Sequence, residues 1–332
     1  MFLAGDIGGT KTSLGLFEPA GDRLRLIRGQ TFASRDYPGL EPILASFLAP
    51  GHADIQAACL GIAGPVRANR VATANLPWII NGDDLAATFA LARVELINDL
   101  VAMAEGIPAL GPDDLATLQA GTPDLEGNAA LIAAGTGLGI AILAAGAGDL
   151  VPLPSEGGHG DFAPRNHEEI ALLQTLIGRF GHVSVERVLS GPGLVNIYEH
   201  LRDSGFATEA PELADELANR DPGEVISDWG EGGRSHLCTK ALELFVRIYG
   251  ATAGNLALLA LSTRGLYLGG GIAPKMLARL RDGSFLEAFL DKGRYRKLLL
   301  DVPVAVILNP ETPLLGAARR ASIAREQATN GS

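Results

Sequence analysis

Cysteine is almost absent from this 332-residue sequence, with only Cys59 and Cys238. Two thiols build neither a disulfide framework nor a multi-thiolate zinc site. Positive charge is also scarce: 27 Lys plus Arg face 38 Asp plus Glu, for a net charge of −11. Nucleic acids and anionic membranes are bound by basic faces, so neither is expected as a partner. No charged and apolar leader opens the chain, since Met1-Phe2-Leu3-Ala4-Gly5-Asp6 meets an acid at once. Charge is missing altogether from Gly127 to Gly148, a run long enough to imitate a membrane span. Its interior, Ala134-Gly135-Thr136-Gly137-Leu138-Gly139, places glycines at alternate positions and reads instead as the turn of a buried strand–turn–strand. The expectation is a soluble cytoplasmic protein.

What the chain has is apolar mass and glycine. It is 47% hydrophobic and 20% charged, enough for a large core over about two domains' length, and it carries 42 glycines, roughly twice the usual share. Strand-like runs at 1–5, 12–17 and 24–32 precede a helix near 40–48, a strand at 55–62, a helix near 84–91, a strand at 93–97 and a helix at 100–105. Strands at 129–134, 140–143 and 150–153 restart the pattern. At an offset of 126 residues, Gly9-Thr10 falls on Gly135-Thr136, as a duplicated α/β lobe would place them. A helix capped by Asn166 follows, then one or two long helices over 234–263, strands at 265–268 and 304–308, and a last helix near 313–325 that returns to the first lobe. The polar tail 327–332 reads as loose.

Three glycine-rich turns end apolar strands. In Asp6-Ile7-Gly8-Gly9-Thr10-Lys11-Thr12 the glycines can turn backbone N–H groups toward an anion, and Thr10 adds a hydroxyl. No helix follows and the Walker spacing is missing, so a plain tight turn explains it as well. Gly135–Gly139 and Gly269-Gly270-Gly271 repeat the signal, and neither fits the dinucleotide pattern. Asn98-Asp99 stands at a strand end, where a carboxylate could take a proton from an attacking hydroxyl; both residues are equally favoured helix caps. Ser155-Glu156-Gly157-Gly158-His159-Gly160-Asp161 sets two acids and a His among glycines, a combination suited to several sugar hydroxyls. Glu186, taken alone, reads as a surface ion-pair residue.

Taken together, these segments resemble the bacterial glucokinases of the sugar kinase/heat-shock ATPase/actin superfamily, nearly end to end. The specific matches are Asn75-Leu76-Pro77-Trp78 (within 74–78), Ser155–Asp161 and Glu186-Arg187-Val188-Leu189-Ser190-Gly191. The weaker ones include Gly61–Pro65, Leu96–Gly106 and Asn309–Ala317. The resemblance implies an α/β fold of two ribonuclease-H-like (actin-like) lobes, each a mixed sheet flanked by helices, with an interlobe cleft. The smaller lobe would be 1–109 plus 310–332, the larger 110–309. It implies ATP-dependent phosphorylation of glucose at the 6-hydroxyl, the first step of glycolysis, with Mg2+ carried by the nucleotide and a homodimeric assembly. Asp99 would be the general base; Asn98, Asp99, Glu156, His159, Glu186 and Gly64 would contact glucose. Asp6 would orient the magnesium through water, Gly8, Gly9, Thr10 and Lys11 would line the β- and γ-phosphates, Thr136 and Gly137 would hold them from the second lobe, and Gly269, Gly270 and Gly271 would approach the adenosine. Lacking the cysteines of the zinc-bearing branch, the chain is expected in the zinc-free one.

Two rivals remain open at this stage. A sugar-sensing regulator on the same fold would need a DNA-binding module, and the basic cluster Lys292, Arg294, Arg296 and Lys297 reads as a solvated rim. A kinase for mannose or an N-acetylated hexosamine would share every motif above. A catalytically dead scaffold is disfavoured by the presence of both Asp6 and Asp99.

Overall fold

The computed structural model describes residues 1–21, 23–49, 54–73, 76–146 and 149–330, with side chains through 325 in the terminal helix. Ala74 and Asn75 of the 74–78 motif, the 147–148 end of the uncharged run and the last two tail residues lie outside the described residues. The chain forms two compact units: Met1–Asp114, Gly148–Pro154 and Asn309–Ser332 make the first, and Leu115–Ala147 with Ser155–Leu308 the second.

The first unit is built on Phe2–Ile7 (β1), Lys11–Ala20 (β2), Arg23–Ala33 (β3), Ala57–Ile62 (β4) and Val94–Asn98, with a small hairpin, Arg70–Ala72 (β5) and Ile79–Asn81 (β6), before the last of these (β7). The sheet order is β3-β2-β1-β4-β7; the β1 pairs are antiparallel to β2 and parallel to β4. Alternation along β1 decides which face each side chain meets. Leu3 and Ile7 join Ile43, Leu44 and Phe47 of the helix Leu40–Leu48. Phe2 and Ala4 join Leu314, Ala317 and Ala318 of the terminal helix Thr312–Asn330. Asp6 continues the second series, so a carboxylate occupies a position that period two assigns to a helix-covered face.

The second unit repeats the central part of that topology. Its strands are Leu115–Gln119 (β8), Ala129–Ala134 (β9), Leu138–Ala145 (β10), Gly265–Gly269 (β11) and Val304–Ile307 (β12), in the spatial order β10-β9-β11-β12-β8. As β1 does, β9 pairs antiparallel with the strand after its glycine turn and parallel with the next. Gly9-Thr10 and Gly135-Thr136, 126 residues apart, thus follow strands that pair in the same sense in their sheets. Its core is the helix His236–Ala260, among the described residues the one long and apolar enough to cross a membrane; its most apolar stretch is 67% buried. Burial of Leu242, Phe245, Ile248 and Tyr249 there, at 0 to 1% exposure, marks it as a core helix.

Several boundaries differ from the sequence reading. The stretch 234–263 holds one helix, His236–Ala260, because Gly250 and Gly254 sit where the backbone of Phe285 and Phe289 packs close and do not break it. The helix at the end runs to Asn330, so most of the tail read as loose is helical. The strand β8 and the helices Pro211–Asn219 and Pro222–Glu231 went unread, their apolar positions being too few for a clear period.

Candidate active site

In the first unit the Gly8-Gly9-Thr10 turn is shaped by a residue that sequence reasoning missed. Ser34 is fully buried, donates its Oγ–H to the Gly8 carbonyl at 2.8 Å, donates its N–H to the Thr10 carbonyl at 2.9 Å, and shares a 3.0 Å hydrogen bond with Thr12 Oγ1. Nothing local in the sequence marks it, since it follows an ordinary edge strand. Gly8 donates its own N–H to the Lys11 carbonyl at 2.9 Å. The expectation that Gly8 offers a free amide is therefore corrected: the turn closes on itself through Gly8. The N–H groups of Gly9 and Thr10 have no backbone acceptor among the described residues, and Thr10 and Lys11 are exposed.

Asn98 and Asp99 end β7 and open the helix Asp99–Gly106. Asn98 is a genuine helix cap: its Oδ1 accepts the N–H of Leu100 at 2.9 Å and of Val101 at 3.4 Å, and its Nδ2 donates to the Gly64 carbonyl at 3.2 Å. Capping and substrate contact thus compete for one amide, and a single N–H of Asn98 remains for a ligand. Asp99 Oδ1 accepts the Leu100 N–H at 2.9 Å. Burial pushes the Asp6 carboxyl up to about 6, and the Asp99 charge adds to it. Both carboxylates are hard oxygen donors, which fits a magnesium ion that arrives with phosphate ligands of its own. Among the described residues no group of three or more His, Cys, Asp or Glu could hold an ion unaided.

In the second unit the Gly135–Gly137 turn is tied on both sides. Gly135 donates its N–H to the Gly137 carbonyl at 2.9 Å, and Gly191 donates to the Gly135 carbonyl at 2.8 Å. Glu186 is more than a surface ion-pair residue: its Oε2 accepts the Leu138 N–H at 2.9 Å. A β-carbon on Gly137 would stand 2.7 Å from that oxygen, which explains glycine there. Ser190 holds the Glu186 turn by donating to the Glu186 carbonyl at 2.7 Å while capping the helix Gly191–Asp203. Ser-Gly-Pro is a helix-start signature and could have disclosed it. The acid–His–acid constellation also forms, with His159 at 3.9 Å from Glu186 and 4.0 Å from Glu156. The Val185 N–H donates to the Gly160 carbonyl at 2.9 Å, fastening the His159 loop to the Glu186 turn.

Gly269 ends β11, and Gly270 turns with φ +80°, where a β-carbon would strike the Ala134 carbonyl oxygen at 2.3 Å. Gly271 then lines a cavity of about 750 Å³ with Gly135, Thr136, Leu194, Ile272 and Met276. That volume and its apolar walls are those of a small-molecule site. The walls supplied by the helices Gly191–Asp203 and Pro222–Glu231 were not read from the sequence.

A family model described as Glucokinase matches residues 3–324. The chain belongs to the glucokinase family. Among relatives, the glucokinase of Nostoc punctiforme is 43% identical, covering 96% of this chain and 98% of that protein, and the glucokinase of Escherichia fergusonii is 35% identical over 95% of each. Among solved structures, a glucokinase from an Antarctic psychrotroph superposes with a TM-score of 0.85 at 32% identity, covering 97% of this chain and 98% of that one. A Streptomyces griseus ROK family glucokinase, solved with glucose and AMPPNP, shares the fold at a TM-score of 0.64 and 23% identity over 97% and 99%. The two-sheet α/β architecture is thus that of the actin-like sugar kinases.

Proposed function

We propose that this protein transfers the γ-phosphoryl group of ATP to the 6-hydroxyl of D-glucose, with Asp99 as the general base. The observation that carries this assignment of roles is Asp99 at the head of its helix, its charge raising the carboxyl of a half-buried Asp6. Phosphoryl transfer needs in-line positioning and neutralised phosphate oxygens more than covalent chemistry. Asn98, Glu156, His159 and Glu186, with Gly64, hold the sugar by its hydroxyls. Asp99 accepts the 6-hydroxyl proton as that oxygen attacks. The N–H groups of Gly9, Thr10, Thr136 and Gly137 face the phosphates, with Lys11 beside the first turn and Gly269 to Gly271 along the adenosine. Asp6 would hold, through water, a magnesium ion arriving with the nucleotide, and that ion would supply charge to offset the phosphates. Residues 1–109 with 310–332 and residues 110–309 act as the two lobes of this machine, in a cytoplasmic homodimer without structural zinc.

A coupled assay with ATP and magnesium across glucose, mannose and N-acetylated hexosamines tests the substrate. Glucose should give the highest kcat/KM, and a mannose or hexosamine preference would replace it. Asp99→Asn should lower kcat by about 10²–10⁴-fold while glucose affinity stays within a few-fold. Near-normal turnover in that variant would remove Asp99 from the mechanism.

A further inference from the structure

Another cavity, of about 210 Å³, lies wholly within the second unit, against the loop that carries Glu156 and His159. Ser155, Gly157, Gly160 and Phe162 of that loop line it, whereas Glu156, His159 and Glu186 do not. One wall is a stripe of the helix His236–Ala260. Ile248, Thr252, Asn255 and Leu259 follow one another there at the spacing of a single helix face. Another wall is Ile140 and Ile142, alternate residues on one face of β10. A β-carbon on Gly157 would meet Ile140 at 3.5 Å, an ordinary contact, so the loop rests on that strand. Val185, whose N–H donates to the Gly160 carbonyl at 2.9 Å, lines the cavity as well. The cavity is thus bounded by both segments that carry Glu156, His159 and Glu186.

Its lining suits a neutral ligand. The charged groups on the wall are already engaged: Arg165 meets Glu169 at 2.7 Å, and Asp161 meets His182 at 2.8 Å. An ion would have to compete with those pairs, and a neutral molecule would not. Asn255 supplies a polar contact, because its amide makes no hydrogen bond among the described residues. Leu259 is 78% exposed, so the apolar wall continues to the surface and gives a way in. An apolar cavity of about 150 Å³ holds one benzene, so this one suits about nine non-hydrogen atoms.

We propose that this cavity is a regulatory site for a small, neutral, mostly apolar molecule with one hydrogen-bonding group, and that its occupant tightens glucose binding. A ligand that fits the cavity selects the arrangement that forms it. In that arrangement His159 stands 3.9 Å from Glu186 and 4.0 Å from Glu156. Occupancy of the cavity and binding of glucose therefore favour each other, by the same factor in both directions. The coupling rests on the reading of Glu156, His159 and Glu186 as glucose contacts; the cavity itself does not.

The probe is indole, a fused ring of the right size with one N–H, compared with indene, which matches it in size and lacks the N–H. Calorimetry on the full-length protein should give an indole Kd below about 1 mM. Saturating glucose should lower that Kd by about fivefold, and saturating indole should lower the glucose Kd by the same factor. Asn255→Leu should weaken indole by about fivefold and leave indene no weaker. Thr252→Trp, which fills the cavity, should abolish binding of both; if it fails to fold, the substitution at the exposed Asn255 carries the test. No indole binding, or binding unaltered in both variants, would overturn the proposal. So would an indole Kd indifferent to glucose in a protein that turns glucose over. Indole binding that weakens as protein concentration rises would place a second copy of the chain on this face and would overturn it too. Indole binding in a protein that phosphorylates no sugar would sink the kinase assignment alone, and intact glucose turnover without indole binding would sink this inference alone.

Discussion

Gly316 lies directly on Ala102: a β-carbon at Gly316 would stand 1.8 Å from the Ala102 carbonyl oxygen and 2.6 Å from the Gly106 amide nitrogen. The terminal helix thus touches, backbone to backbone, the helix that begins at Asp99. Gly106 mirrors the contact, its own β-carbon position falling 2.2 Å from the Thr312 carbonyl oxygen. Gly316→Ala must push the two helices apart. The expected cost is about 1–3 kcal/mol of stability, with kcat falling further than glucose KM rises, because Asp99 moves with its helix. Thermal melts and steady-state kinetics check this; wild-type values in both would show that the contact does not position Asp99.

Asp6 makes a pH-dependent prediction. Its carboxyl sits at about 6 in the folded protein against 3.8 when free, raised by burial and then by Asp99. The folded state therefore binds this proton more tightly than the unfolded chain. Stability contributed by the neutral acid is fully present below 3.8, falls as pH rises through the interval, and is gone above about 6. Asp6→Asn keeps the neutral shape at every pH. Without nucleotide it should stabilise the protein at pH 8 by up to about 3 kcal/mol, with no gain at pH 3.5, and it should depress turnover with ATP. Denaturant titrations at the two pH values measure the difference. An equal effect at both would show that ionisation is not its cause.

How much of this was legible in the sequence follows from the range of the forces. The helix Leu40–Leu48 and the strand Ala129–Ala134 were read to the residue, since apolar period and flanking turns define them locally. Asn98, Asp99, Glu156, His159 and Glu186 were all singled out, and the His–Glu pairs do form. What stayed hidden depends on distant partners. Ser34 shapes the first glycine turn from 24 residues beyond Thr10. Gly8 shows the converse error: a glycine in the right motif whose N–H the turn itself consumes.

Gly137 separates two roles. Its β-carbon position is 2.7 Å from Glu186 Oε2, the oxygen that accepts the Leu138 N–H. Gly137→Ala should displace that carboxylate and raise the glucose KM by at least about tenfold, the equivalent of one charge-assisted hydrogen bond. A change confined to the ATP KM would assign Gly137 to the phosphates and leave Glu186 unaffected by it. Measuring both KM values in the same variant decides.

Glu105 closes the helix that Asp99 opens, and it is 4% exposed. Arg319 Nη1 meets its Oε2 at 2.6 Å, and Arg320 Nη1 lies 3.5 Å from Oε1. Burial pushes the Glu105 carboxyl up, and the two guanidiniums pull it part of the way back. Removing one partner leaves a buried carboxylate undercompensated, which costs more than removing the pair. Arg319→Leu should therefore destabilise by about 3–5 kcal/mol, and the loss should grow as pH rises, since Glu105 must then ionise with less positive charge beside it. Adding Glu105→Gln to Arg319→Leu should restore part of that stability and flatten the pH dependence. A double variant less stable than Arg319→Leu alone would mean that Glu105 stabilises the terminal helix through Arg320 by itself, with Arg319 serving only its second partner, Asp149.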